Sequence, residues 1–172
     1  MGNEVGILSF GAYIPRLRLQ RKAIAAANSW FNPGLRGLAK GERAMANWDE
    51  DAVTMAVEAA RDCLAGFDHR AVASLYLAST THPFDDRQNA SIAAGALHLR
   101  PALRSLDAGG SLRAATSTLA TALAAAAGTE GHALLAAGDH RLAKAASPQE
   151  MQYGDGAAAL LLGWGPPIAQ LV

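Results

Sequence analysis

The sequence predicts one α/β domain in which a five-stranded mixed sheet, largely parallel, is covered by helices and one helix is buried at the centre. Three observations carry this. Short apolar runs of strand length alternate with segments whose apolar residues recur at helical spacing. The segment 111–127 is helical in composition but has no polar face. The 172 residues suffice for one packed core and are too few for two well-developed ones.

In chain order, Val5 and its neighbours through Phe10 form an apolar run closed by Gly11, the first strand. Residues 13–27 turn basic and alanine-rich, and Asn32, Pro33, Gly34 and Gly37 mark a loop. Asp49, Glu50 and Asp51 place acid at a helix start, where the macrodipole favours it. Val53, Ala56, Val57, Ala60, Cys63 and Leu64 then follow at helical spacing, with Gly66 as the stop. Residues 72–80 form a second strand, 89–97 a helix, 103–107 a third strand, 132–137 a fourth and, after a loop holding Pro148, 156–162 a fifth.

The helix over 111–127 lies between Gly110 and Gly128, and Arg113 is its only charge. Alanine, leucine and threonine occupy every face. A plain alanine-rich helix of high propensity is one reading. The other is a helix held between two sheets, small side chains permitting close approach on both sides. A single five-stranded sheet covers one face only, so the second cover comes from outside these residues.

Charge and cysteine usage narrow the function. Lysine plus arginine and aspartate plus glutamate number 15 each, so no net field recruits nucleic acid or an anionic membrane. The single Cys63 excludes an internal disulfide and a multi-cysteine zinc site, and no metal is expected. The opening MGNEVGILSFGAYIP lacks a basic start followed by an unbroken apolar core, Gly6 stands where myristoylation wants serine or threonine, and no apolar stretch is long enough to span a bilayer. A cytoplasmic location is the expectation.

Five stretches carry a family resemblance: GAYIPRLRL, WDEDAVTMAVEAAR, LYLASTTHPF, SLRAAT and YGDGAAALLLG. In order and spacing over residues 4–165 they resemble the first half of hydroxymethylglutaryl-CoA synthases, within the superfamily of thiolases and ketoacyl synthase III. The resemblance implies that residues 1–172 form an N-terminal thiolase-like domain, a five-stranded half with a buried central helix, whose second half is absent from this chain. It also implies acyl-CoA chemistry of the Claisen or aldol kind, with a CoA thioester as substrate and no bound cofactor. Such proteins use a cysteine that becomes acylated, a glutamate acting as acid and base, and a histidine from the second half. In this chain the cysteine position falls on Leu112, beside Ser111, and the glutamate position on Thr80, beside Thr81.

Substitutes are few. Ser111 at a helix N-terminus is placed to use the amides there, though a serine before a helix reads first as an N-cap. His82, on the loop after a strand, is a candidate general base whose plainer reading is structural. Cys63 sits on an apolar helix face and reads as core rather than nucleophile. Asp155, between Gly154 and Gly156, reads as the residue of a tight turn, which the resemblance places in the site wall with Thr80, Thr81 and Leu112. Arg36, Lys40 and Arg43 come from the region that the resemblance assigns to CoA entry. Two functions stand side by side. One is an acyl-CoA-handling protein lacking the usual cysteine and glutamate; the other is a non-catalytic subunit that partners an active thiolase or an OB-fold zinc-ribbon protein. Either implies a homodimer or a hetero-oligomer.

Overall fold

The computed structural model describes residues 4–128 and 130–170. Its centre is a five-stranded sheet of order β1-β7-β6-β4-β5, built from β1 (Glu4–Tyr13), β4 (Val72–Ala78), β5 (Arg104–Ala108), β6 (His132–Asp139) and β7 (Gly156–Gly165). β4 pairs in parallel with β5 and β6, whereas β7 runs antiparallel to both β6 and β1. The sheet is mixed as expected, yet only half of its pairings are parallel. The parallel strands are joined by crossover helices; the return from β6 to β7 holds only the short α5 (Pro148–Gln152), and an antiparallel neighbour needs no crossover.

Helices α2 (Ala52–Cys63) and α3 (Asn89–Ala96) cover one face of the sheet, and α4 (Ala114–Ala127) packs on the other. A two-stranded sheet of β2 (Leu17–Gln20) and β3 (Glu42–Met45) flanks them with α1 (Arg21–Asn28). This hairpin-like pair was not anticipated: its four-residue strands are too short and too charged to show an alternating pattern. Residues 33–38, expected as loop, wind into a 3-10 turn started by the Asn32 side chain, which accepts from Gly34 N at 3.2 Å. No helix among the described residues is long and apolar enough to cross a membrane.

The α2 N-terminus forms as its acids suggest, through a specific cap. Asp51 accepts from Thr54 N at 2.7 Å and Thr54 Oγ1 accepts from Asp51 N at 2.7 Å, which satisfies two backbone donors reciprocally. Half of the buried residues of α2 are alanine, and its backbone comes down directly onto the sheet. Gly11 is the contact point, so β1 does not stop there but runs on to Tyr13. A methyl group at Gly11 would lie 2.3 Å from both Ala59 O and Cys63 N. Ser9 Oγ donates to Cys63 O at 2.7 Å, and Ala12 N donates to Asp62 Oδ2 at 3.1 Å, fastening the end of α2 to β1 on either side of that contact.

Cys63 lies inside this junction with no exposed surface. Burial pushes its thiol up to about 11, offset in part by the Ser9 hydroxyl. The core reading of this residue holds.

Two outcomes follow from this junction. Gly11→Ala meets main chain on both sides, so it is expected to cost about 3 kcal/mol as an overpacking change, read as a fall in Tm of roughly 10 °C. At pH 8 the raised thiol leaves about a hundredfold less thiolate than an ordinary cysteine. A thiol reagent should therefore label Cys63 at least that much more slowly in the native protein than in urea, and comparable rates would mean that α2 does not seat on β1 as described.

Candidate functional site

The C-terminal ends of β4 and β6, the start of β7 and the approach to α4 enclose a cavity of about 300 Å³. Its lining is largely alanine and glycine, with Ser79, Thr80, Ser111, Leu112 and Asp139 as the larger groups. The ends of parallel strands are where side chains and main-chain groups converge without neighbours, which makes such a cleft the natural ligand position in an α/β sheet.

Asp139 organises the cavity, and the sequence reading missed it. Its Oδ1 accepts from Thr80 N at 2.7 Å, Ser79 Oγ at 3.0 Å and Thr80 Oγ1 at 3.1 Å, with Thr81 Oγ1 at 3.4 Å. Thr81 Oγ1 in turn accepts from His140 N at 2.9 Å. One carboxylate thus pins the loop after β4 to the tip of β6. Among the described residues, Asp139 is also the only ionisable one lining the cavity. The available signal was a charged residue ending an otherwise apolar strand run, which implies a polar partner near the strand tip.

The expected site residues separate. Thr80 and Leu112 line the cavity, and Thr81 supports it through Asp139. Leu112 is 72% exposed, and it offers no nucleophilic atom. Ser111 lines the cavity too, but it is not a helix cap: α4 begins at Ala114, and the Ser111 hydroxyl accepts from Arg113 N at 3.2 Å in the turn before it. Glycines at 109 and 110, the latter at φ 76°, keep the chain irregular for three residues beyond the expected helix start.

His82 does not join Ser111. Its ring packs toward Gly109, its Nε2 is sealed from solvent, and no hydrogen bond links the two. Asp155 faces away from this cavity. Neither of its glycines has a left-handed φ, so the expected tight turn is instead extended chain entering β7, with Gly156 held close to Tyr13 O. Asp155 Oδ2 accepts from Ala46 N at 2.8 Å, tying β7 to the end of β3. Of the three basic residues, Arg43 lies on β3 and donates to Tyr153 O at 3.3 Å, while Arg36 and Lys40 are exposed and form no ion pair among the described residues. No group of three or more metal-ligating side chains occurs among the described residues.

α4 presents its second face to the outside. Ala114, Thr118, Ala122 and Ala126 are buried against the sheet at every fourth position, and Thr116, Ser117, Ala120, Thr121 and Ala124 stand exposed. The helix itself carries no charge, so this outer face is small, neutral and weakly polar.

No family model matches the sequence. Among curated proteins, it is 30% identical over 164 residues to the hydroxymethylglutaryl-CoA synthase of Aeropyrum pernix, covering 94% of this chain and 45% of the relative. It is 28% identical to that of Pyrococcus horikoshii, covering 93% and 45%. The chain spans less than half the length of these relatives. Among solved structures, MvaS in complex with 3-hydroxy-3-methylglutaryl coenzyme A superposes with a TM-score of 0.82 at 25% identity, over 95% of this chain and 40% of that one. The 3-oxoacyl-(acyl carrier protein) synthase III, FabH, of Pseudomonas aeruginosa PAO1 superposes with a TM-score of 0.79 at 26% identity, over 94% and 51%. Sequence and fold agree over nearly the whole of the described chain, which has a thiolase-like fold and is homologous to the hydroxymethylglutaryl-CoA synthases.

Proposed function

We propose that this chain is an acyl-CoA-handling unit of the hydroxymethylglutaryl-CoA synthase type that forms no covalent acyl-enzyme and whose site is completed by a second thiolase-like unit laid over α4. The cavity between α4 and the strand tips carries this reading. It opens beside Leu112, where the homologous proteins are expected to hold their cysteine, and among the described residues its only ionisable lining residue is Asp139. A threonine at position 80 cannot exchange a proton near neutral pH as a carboxyl group does. Any aldol or Claisen step here proceeds on a CoA thioester held non-covalently, with the Asp139 carboxylate as the group within the cavity able to take a proton.

The same absence of thiol and glutamate supports a second reading. In it the chain is a structural subunit that pairs with an active thiolase or with an OB-fold zinc-ribbon protein, and the uncharged outer face of α4 is the surface it offers. Self-association is proposed through β5, the edge of the sheet, whose outer main-chain groups face no strand among the described residues and whose Leu106 is 47% exposed. An open edge invites a partner strand.

Intact-protein mass spectrometry after incubation with acetyl-CoA and longer acyl-CoAs is expected to show no added acyl mass. A stable adduct lost in Ser111→Ala would make the protein a serine-dependent acyltransferase and end the non-covalent reading. Sedimentation tests the edge: Leu106→Lys is expected to convert a dimer to monomers without changing secondary structure, because a lysine on an edge strand opposes pairing. An unchanged assembly would place the contact elsewhere.

A further inference from the structure

Successive residues of a strand point to opposite faces of its sheet, so the tips of β6 and β7 furnish two sites. Asp139 turns to the α4 side, while His140 and Asp155 turn to the other. There, beside the segment that leads into α2, they join Arg43, Trp48 and Arg141 around a separate cavity of about 400 Å³.

His140 Nδ1 lies 3.3 Å from Asp155 Oδ2, and the Asp155 side chain is 2% exposed against 37% for His140. A carboxylate so deeply buried is costly unless it serves to hold a partner; Asp155 accepts a hydrogen bond from Ala46 N, and the His140 ring approaches it outside hydrogen-bond geometry. Three buried polar side-chain atoms of this cavity have no hydrogen-bond partner among the described residues: the donor Arg43 Nε, the acceptor Asp155 Oδ1, and His140 Nδ1, which faces Asp155 Oδ2. Native proteins leave few such atoms, and those that remain call for an explanation.

The charges of the cavity say what is missing. Three carboxylates line it beside two guanidinium groups, and each carboxylate has a hydrogen-bond donor: Glu50 accepts from the Tyr13 hydroxyl and from Asn47 N, Glu150 from Ala146 N and Asp155 from Ala46 N. Arg43 reaches only a main-chain oxygen and Arg141 stacks 4.0 Å above the Tyr153 ring; neither has a carboxylate within ion-pair distance among the described residues. The donors left over are two guanidinium groups and an imidazole whose far nitrogen, Nε2, has no protein partner among the described residues. Planar guanidinium groups match the two oxygens of a carboxylate, and a buried acid behind an imidazole fixes which ring nitrogen faces the ligand.

We propose that this cavity is a binding site for a small carboxylic acid, its carboxylate held by Arg43, Arg141 and His140, with Asp155 as the positioning residue that orients the His140 ring. The site stands apart from the acyl-CoA cavity because it lies on the opposite face of the sheet, so failure of either reading leaves the other intact.

The test uses the full chain with sodium malonate as probe, and inorganic phosphate and sodium chloride at matched ionic strength as comparisons. Histidine and tryptophan side-chain resonances report occupancy. Malonate is expected to shift His140 and the Trp48 indole saturably while His82 and His132 stay in place. Its affinity is expected to fall at least tenfold in both His140→Gln and Arg43→Gln, each checked for native secondary structure by circular dichroism. Asp155→Asn removes the tie to Ala46 as well as the ring partner, so His140→Gln is the deciding variant. The absence of a saturable response overturns the proposal, as does an affinity unchanged in His140→Gln. Saturation by phosphate with none by malonate overturns the carboxylate assignment.

Discussion

The close seating of α2 on the sheet is the contact on which the rest depends. Two glycines permit it: a methyl group at Gly11 would strike the main chain near the end of α2, and one at Gly138 would lie 2.7 Å from Ala52 O at its start. Between these points the helix offers Ala52, Ala56, Ala59, Ala60 and Cys63, residues small enough to let the backbone approach. Dispersion is weak per atom pair and falls quickly with separation, so the gain from such seating comes from many short contacts made at once. The capping box at Asp51 and Thr54 sets where the helix begins and so fixes the register of both glycine contacts.

That seating places the strand tips, and the strand tips make the chemistry. Gly138 faces α2, so Asp139 must face α4 and His140 must face α2 again. A shift of one residue in β6 would exchange the two cavities' contents, because the side-chain period of a strand is two. The long pairing of β6 with β7, from Ala133 with Leu162 to Asp139 with Gly156, resists that slip. The buried Asp155, joined through Ala46 to the end of β3, holds the other end of the same register.

α4 shows the opposite condition. It buries one residue in four against the sheet and leaves a neutral face of alanine and threonine uncovered. A helix with an ordinary solvent face carries charge there; this one carries none between Ala114 and Ala127. The fold therefore leaves a surface suited to close approach by another element, immediately beside the cavity that opens at Leu112.

Much of this was legible in the residues. The acids before Ala52, the spacing of alanine and valine through α2, the five apolar runs and the chargeless stretch ending at Ala127 are local patterns, and local patterns report local structure. Leu112 and Thr80, singled out by the resemblance rather than by any local pattern, both line the cavity. What could not be read depended on pairing between distant segments. β2 and β3 are strands because each completes the other, and half of the sheet is antiparallel because β7 inserts between β6 and β1. Ser111 lost its cap because the glycines before it delay the helix, and His82 was turned aside toward Gly109. Sequence by itself determined the strands of the main sheet, the start of α2 and the lack of charge along α4. Tertiary structure alone decided that Asp139 meets Thr80 and that His140 meets Asp155, since those contacts join residues 59 and 15 positions apart, and no local pattern records which side of a strand its neighbours will bury.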